Sequence, residues 1–182
     1  MSPERLVTID PGTKGCGVAV FEHGLLVWAE YVTPEIVADD EFGKALHMAH
    51  AVYSRLADNF YGKAFDELVL ERPKVHTTAT SKGDPDDLIR LALTVGAIGA
   101  WVYATHRRTI LPREWKGQVP KNNNPELDIM ISRIKKRLNF PLEDRVVVRP
   151  KRVTSGPGVP YRLQHNVWDA VGIGLWALGR YP

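Results

Sequence analysis

The chain has 182 residues, 44% of them hydrophobic and 25% charged, a length that suits one domain over residues 1–182 and is short for two. No apolar run approaches the roughly 20 residues of a bilayer span, and Met1-Ser2-Pro3-Glu4 lacks the basic, then apolar, start of a secretory signal. A single cysteine, Cys16, excludes an internal disulfide and fits a reducing compartment, so a cytoplasmic location is expected.

The net charge of +3 hides a division. Residues 1–106 carry 9 Lys/Arg against 15 Asp/Glu, whereas residues 107–182 carry 15 against 6. A basic half on a small domain suits a polyanionic partner, because each phosphate it neutralises releases a counterion. The plain alternative is a solvated surface of uneven charge.

In chain order, residues 6–10 (Leu-Val-Thr-Ile-Asp) form a short β-branched run stopped by Pro11-Gly12, which predicts a strand and a turn. Residues 17–21 read as a second strand, Glu22-His23-Gly24 as a hairpin turn and residues 25–32 as a third strand. Helical spacing follows from about residue 36 to 60, with Ala45, Met48, Ala49, Val52 and Leu56 on one stripe. Asp39, Asp40 and Glu41 supply favourable charge at its start. Leu68-Val69-Leu70, ending at Glu71 before Arg72-Pro73, predicts a buried central strand.

Residues 77–84 read as a loop, and Asp86 or Asp87 as the N-cap of a helix reaching about Thr105. A fifth strand is expected at 108–111, a loop at 112–125, an amphipathic helix at 126–138 and a short strand at 146–148. A basic Gly/Pro-rich stretch at 149–162 precedes a last helix over 163–178. Three antiparallel strands, a helix, then alternating strands and helices predict a mixed five-stranded α/β sheet flanked by helices.

Three acids fall at suggestive places: Asp10 ends the first strand, Glu71 ends the fourth, and Asp169 lies on the last helix. Carboxylates brought together repel one another and persist only with a cation between them. Hard oxygen donors favour Mg²⁺, with Mn²⁺ as substitute, and two such ions suit an in-line phosphoryl displacement. Asp10 before Pro-Gly also reads as an ordinary turn residue, and Glu71 as a strand end. Asp169 stands among Val167, Trp168, Ala170, Val171 and Ile173, where an unpaired carboxylate is expensive.

Thr8-Ile9-Asp10-Pro11-Gly12-Thr13 followed by Gly17-Val18-Ala19 resembles the opening strand and hairpin of RuvC-type Holliday junction resolvases. Leu70-Glu71 resembles that family's fourth-strand glutamate, and His165-Asn166-Val167-Trp168-Asp169-Ala170-Val171-Gly172 its last helix. The segment from Pro112 to Lys121 is similar to its basic loop. The resemblance implies a ribonuclease H-like fold and a homodimer that nicks branched DNA with two divalent metal ions per site. It implies Asp10, Glu71 and Asp169 as metal-holding catalytic residues. His165 or Asn166 completes the site, and His165 is the choice because an imidazole can ligate or act as a base.

Lys74, Lys116, Lys121, Arg149, Lys151 and Arg152 are the candidate DNA contacts. Lys74 stands where the family carries a base-stacking aromatic, a departure that removes stacking and keeps charge. Trp115 is read either as a base-stacking residue or as packing beneath the loop. Gly96 and Gly99, beside Ala97 and Ala100, lower helix propensity and predict close approach of the sheet or a second subunit; the resemblance favours the subunit. Two other readings stand beside this one: a ribonuclease H-like nuclease that trims ribosomal RNA precursors, which Lys14 fits, and an actin-like ATPase fragment, for which one domain is too little.

Overall fold

The computed structural model describes residues 3–36, 38–73, 84–117, 119, 122, 127–139, 142–143 and 164–181. Strands β1 (Arg5–Asp10), β2 (Cys16–Glu22) and β3 (Leu25–Val32) lead into helix α1 (Glu41–Phe60) and strand β4 (Phe65–Glu71). Helix α2 (Pro85–Trp101), strand β5 (Ala104–Ile110), the single turn α3 (Pro112–Trp115), α4 (Ile129–Lys135) and α5 (Gln164–Ala177) follow. The sheet order is β3-β2-β1-β4-β5. β1, β2 and β3 pair antiparallel, whereas β4 runs parallel to both β1 and β5. This is the mixed five-stranded α/β sheet expected from the order of elements.

The turn between β2 and β3 places His23 at φ 50° and Gly24 at φ 78°, the two successive left-handed residues that let a tight hairpin match the strands' twist. Several boundaries differ from the sequence expectation. α1 starts at Glu41 rather than near residue 36, because Asp40 caps it by accepting from Gly43 N at 2.8 Å. The α2 cap is Asp84, not Asp86 or Asp87; its carboxylate accepts from Asp86 N at 3.0 Å, and Pro85 opens the helix.

α2 ends at Trp101, and β5 begins at Ala104, well before residue 108. The middle of β5 is exposed and polar, so no alternation marks it; its pairing with β4 from Phe65↔Ala104 to Glu71↔Ile110 makes it a strand. α3 occupies the start of the expected 112–125 loop, and α4 is shorter than the pattern over 126–138. The strand expected at 146–148 lies outside the described residues.

The sheet has two buried faces, and β1 alternates between them. Val7 and Ile9 join Val18, Val20, Leu68 and Leu70 in a core under α1, which also takes in Ile98 of α2. Leu6 joins Ala19, Phe21 and Val69 in a second core under α4 and α5. Thr8 lies on this second face, fully buried, and its hydroxyl donates to Ala170 O of α5 at 2.7 Å. Gly99 of α2 lies against the sheet, since a Cβ there would stand 3.4 Å from Leu70 Cδ1. Gly96 is exposed with open space where a Cβ would point.

α5 comes unusually near the hairpin. A Cβ on Gly17 would lie 1.8 Å from the carbonyl oxygen of Asn166, and one on Gly174 would lie 2.0 Å from Phe21 Cε2. The first contact is backbone on backbone, which no rotamer change relieves; the second is against a side chain that can shift. Beyond α5, Arg180 bonds Glu143, whose carboxylate also accepts from Leu26 N at 2.6 Å, tying the chain after α5 to β3. Gly17→Ala should therefore destabilise the fold by more than ~3 kcal/mol, and Gly174→Ala by ~1–3 kcal/mol despite its better helix propensity. Urea denaturation checks the order, and a Gly17→Ala protein as stable as the parent would refute the close approach.

Candidate active site

Because β1 and β4 run parallel, with Ile9 opposite Leu70, their last residues reach the same edge of the sheet. Asp10 follows Thr8 by two positions and Glu71 follows Val69 by two, so both carboxylates project from the face that α5 covers. The Thr8–Ala170 hydrogen bond pins α5 at the residue next to Asp169. The three acids singled out in the sequence are thus carried to one end of one sheet face. Asp10 is 7% exposed and Asp169 3% exposed.

Partners of these acids are specific. Trp115 Nε1 donates to Glu71 Oε2 at 2.6 Å. Lys116 Nζ stands 3.2 Å from Asp169 Oδ2 and 3.5 Å from Glu71 Oε2, so one ammonium links β4 to α5. It also lies 4.8 Å from the centre of the Trp115 ring, within cation–π range. Trp115 itself is 3% exposed, and a Cβ on Gly172 would meet its ring at 2.4 Å. The indole packs beneath the loop, as one of its two readings had it. What the sequence did not show is that its N–H holds Glu71; a glycine in an otherwise bulky apolar helix was the available sign that something large lies there.

Cys16 is fully buried, and burial pushes its thiol up to about 12, with the Gly12 carbonyl opposing and nearby Asp10 adding to the rise. It stays a neutral thiol at pH 7.

His165 and Asn166 point to different neighbours. A Cβ on Gly12 would stand 3.4 Å from Asn166 Nδ2, so this amide faces the turn that follows Asp10. His165 Nε2 lies 3.4 Å from Asp128 Oδ2, without hydrogen-bond geometry. Asp128 is itself 1% exposed and caps α4, accepting from Met130 N, Ile131 N and Asn122 N at 2.8, 3.1 and 2.8 Å. Burial alone would raise its carboxyl, but those amides and His165 outweigh burial and hold it below the ordinary carboxylate value.

Hard carboxylate oxygens at a strand edge fit a divalent cation in kind, and Glu71 and Asp169 already share one positive group. Among the described residues no three His, Cys, Asp or Glu side chains gather as a ready-made metal cluster. Lys116 is the only candidate DNA contact within the described residues; Lys74, Lys121, Arg149, Lys151 and Arg152 lie outside them. No described helix is long and apolar enough to cross a membrane.

No family model matches the chain, and no curated protein matches its sequence. Among solved structures it is similar to the Thermus thermophilus RuvC in complex with a Holliday junction substrate, at 13% identity, 97% coverage of each chain and a TM-score of 0.50. The fold is RuvC-like. A second Thermus thermophilus RuvC structure matches at 14% identity over 97% of this chain and 98% of that one, with a TM-score of 0.48.

The lowered Asp128 carboxyl sets a pH dependence. A group with a depressed folded value contributes stability above its unfolded value, about 4, and that contribution is lost as pH falls through the folded value. Asp128→Asn should cost ~1–2 kcal/mol at pH 7, with the gap to the parent narrowing below about pH 4. Urea midpoints from pH 7 to 2.5 check this; a gap that stays constant would show that the charge of Asp128 contributes nothing.

Proposed function

We propose that this chain is a metal-dependent, structure-selective endodeoxyribonuclease that resolves Holliday junctions or other branched DNA in recombination and repair. The observation that supports the reading is that Glu71 and Asp169 share the Lys116 ammonium at the end of the sheet where β1, parallel to β4, also ends in Asp10. The RuvC-like fold supports it, because the similar Thermus thermophilus protein was solved with a junction.

In this mechanism Asp10, Glu71 and Asp169 would hold Mg²⁺, or Mn²⁺ in its place, two ions to a site, which would supply Lewis acidity toward the phosphate and the attacking water. The chain's own groups do the rest. Trp115 fixes the Glu71 carboxylate through its N–H, leaving Glu71 fewer rotamers in which to miss its ligand position. His165 is the proposed acid–base group. Its Nε2 stands 3.4 Å from Asp128 Oδ2, and Nδ1 is the nitrogen proposed to serve the attacking water. Lys116, with Lys74, Lys121, Arg149, Lys151 and Arg152, would contact DNA phosphates.

A two-fold junction calls for two sites, and the homodimer is part of the proposal. The exposed side of α2, with Ile89, Leu93, Gly96 and Ala100, is the face offered for it. An exposed glycine with nothing over its Cα is explained by a second backbone approaching there.

Asp10→Asn, Glu71→Gln and Asp169→Asn should each abolish cleavage of a four-way junction in Mg²⁺ while leaving gel-shift binding in Ca²⁺ largely intact. A variant retaining more than a few per cent of the parent rate removes that residue from the site. Flap, duplex and RNA substrates run alongside; cleavage of RNA alone would replace the DNA reading with the RNA-processing one.

The fourth position is tested separately. His165→Ala should slow cleavage at least ~100-fold, the range for losing an acid–base group, and Asn166→Ala far less. The reverse order, measured across pH 6–9, would move the role to the amide beside Gly12.

A further inference from the structure

A metal at Glu71 and Asp169 has to contend with a cation the protein already keeps there. Lys116 Nζ lies within 3.5 Å of both carboxylates, and its side chain is only 13% exposed. Its charge is held in place from three directions: Asp169 of α5, Glu71 of β4 and the face of the Trp115 ring. An ammonium has no lone pair to offer a metal. A divalent ion sharing these oxygens would stand close to that ammonium, and like charges so near each other in a buried site repel strongly. The two cannot be bound at full strength together.

The lysine can leave without breaking the turn that carries it, because its backbone N–H closes α3 on Pro112 O at 3.0 Å whatever the side chain does. Until it leaves, Lys116 lowers the repulsion between the two acids and keeps α5 and β4 in register.

We propose that Lys116 is an internal counter-ion which competes with the divalent metal for Glu71 and Asp169, and that its release toward a DNA phosphate couples metal binding to DNA binding. The inference rests on the metal-dependent reading above. Both ligands favour the same state of one side chain, the state with Lys116 off the carboxylates. Each therefore raises the affinity for the other by the same factor. The metal-free site is thereby held in a neutralised form that binds metal weakly until nucleic acid arrives.

The test is Mn²⁺ binding to the DNA-free full chain, by titration calorimetry and by electron paramagnetic resonance of free Mn²⁺. Lys116→Met removes the charge at similar volume, Lys116→Arg keeps it, and Lys116→Gln is a second neutral variant should methionine not fold. The neutral variants should bind Mn²⁺ at least ~10-fold more tightly than the parent, and Lys116→Arg should not. In gel shifts, the gain in junction affinity on replacing EDTA by Ca²⁺ should shrink in the neutral variants. Equal or weaker Mn²⁺ binding by the neutral variants overturns the counter-ion role while the metal reading stands. If neither parent nor variants bind Mn²⁺ at millimolar concentrations, both fall together.

Discussion

Everything at this site depends on how closely α5 can lie against the first hairpin. Gly17 allows the carbonyl of Asn166 to come within a distance that any Cβ would forbid, and the Thr8 hydroxyl, fully buried, fixes the helix lengthwise at Ala170. These two contacts flank Asp169 along the helix. A helix set a few ångströms farther out would leave Asp169 on the same face but out of reach of β4. The glycines of this region are therefore a matter of distance rather than of flexibility: none of Gly17, Gly172 and Gly174 has positive φ, and each lies where another group occupies the place of its Cβ.

The second constraint is electrostatic. Asp169 sits in a helix whose residues from Val167 to Ala177 are otherwise apolar and mostly buried, and a lone carboxylate there would lose several kcal/mol of hydration. A unit charge pair near 3–4 Å returns about 4–5 kcal/mol at the effective dielectric typical of such sites. Lys116 supplies that pair, and the same ammonium serves Glu71. The tryptophan before it supplies a directed N–H to Glu71. Two adjacent residues at the end of α3, Trp115 and its C-cap Lys116, thus stabilise both acids, which makes the Pro112–Trp115 turn part of the site rather than a connector.

Much of this was legible beforehand, for identifiable reasons. The hairpin, the buried fourth strand and the last helix were readable because apolar periodicity and turn residues agreed there. Asp10, Glu71 and Asp169 stood out because each ends or interrupts an apolar segment. β5 escaped in part because it lies at the sheet edge with a polar, exposed middle, so that pairing with β4 and not its own pattern makes it a strand. The α2 cap was misplaced by two to three residues because three aspartates crowd its start and only geometry selects Asp84. The partnership of Lys116 with carboxylates was invisible for a different reason. A lysine in a basic loop suggests phosphate, and only the folded chain shows that the loop turns back toward the acids. Asp128 falls within the helix the sequence predicts over 126–138, and nothing local announces that it caps α4 with His165, far along the chain, beside it.

The hydrogen bond between Thr8 and Ala170 spans 162 positions of sequence. Contacts of such separation close late, because a long loop must be ordered before they give anything in return. On a ribosome Asp10 emerges well ahead of Asp169, and β1 must wait for β4 before its parallel partner exists at all. The Lys116 link between Glu71 and Asp169 can therefore form only once the last helix is in place. A half-made chain would present Asp10 to water, so the burial of that carboxylate is among the last events of assembly.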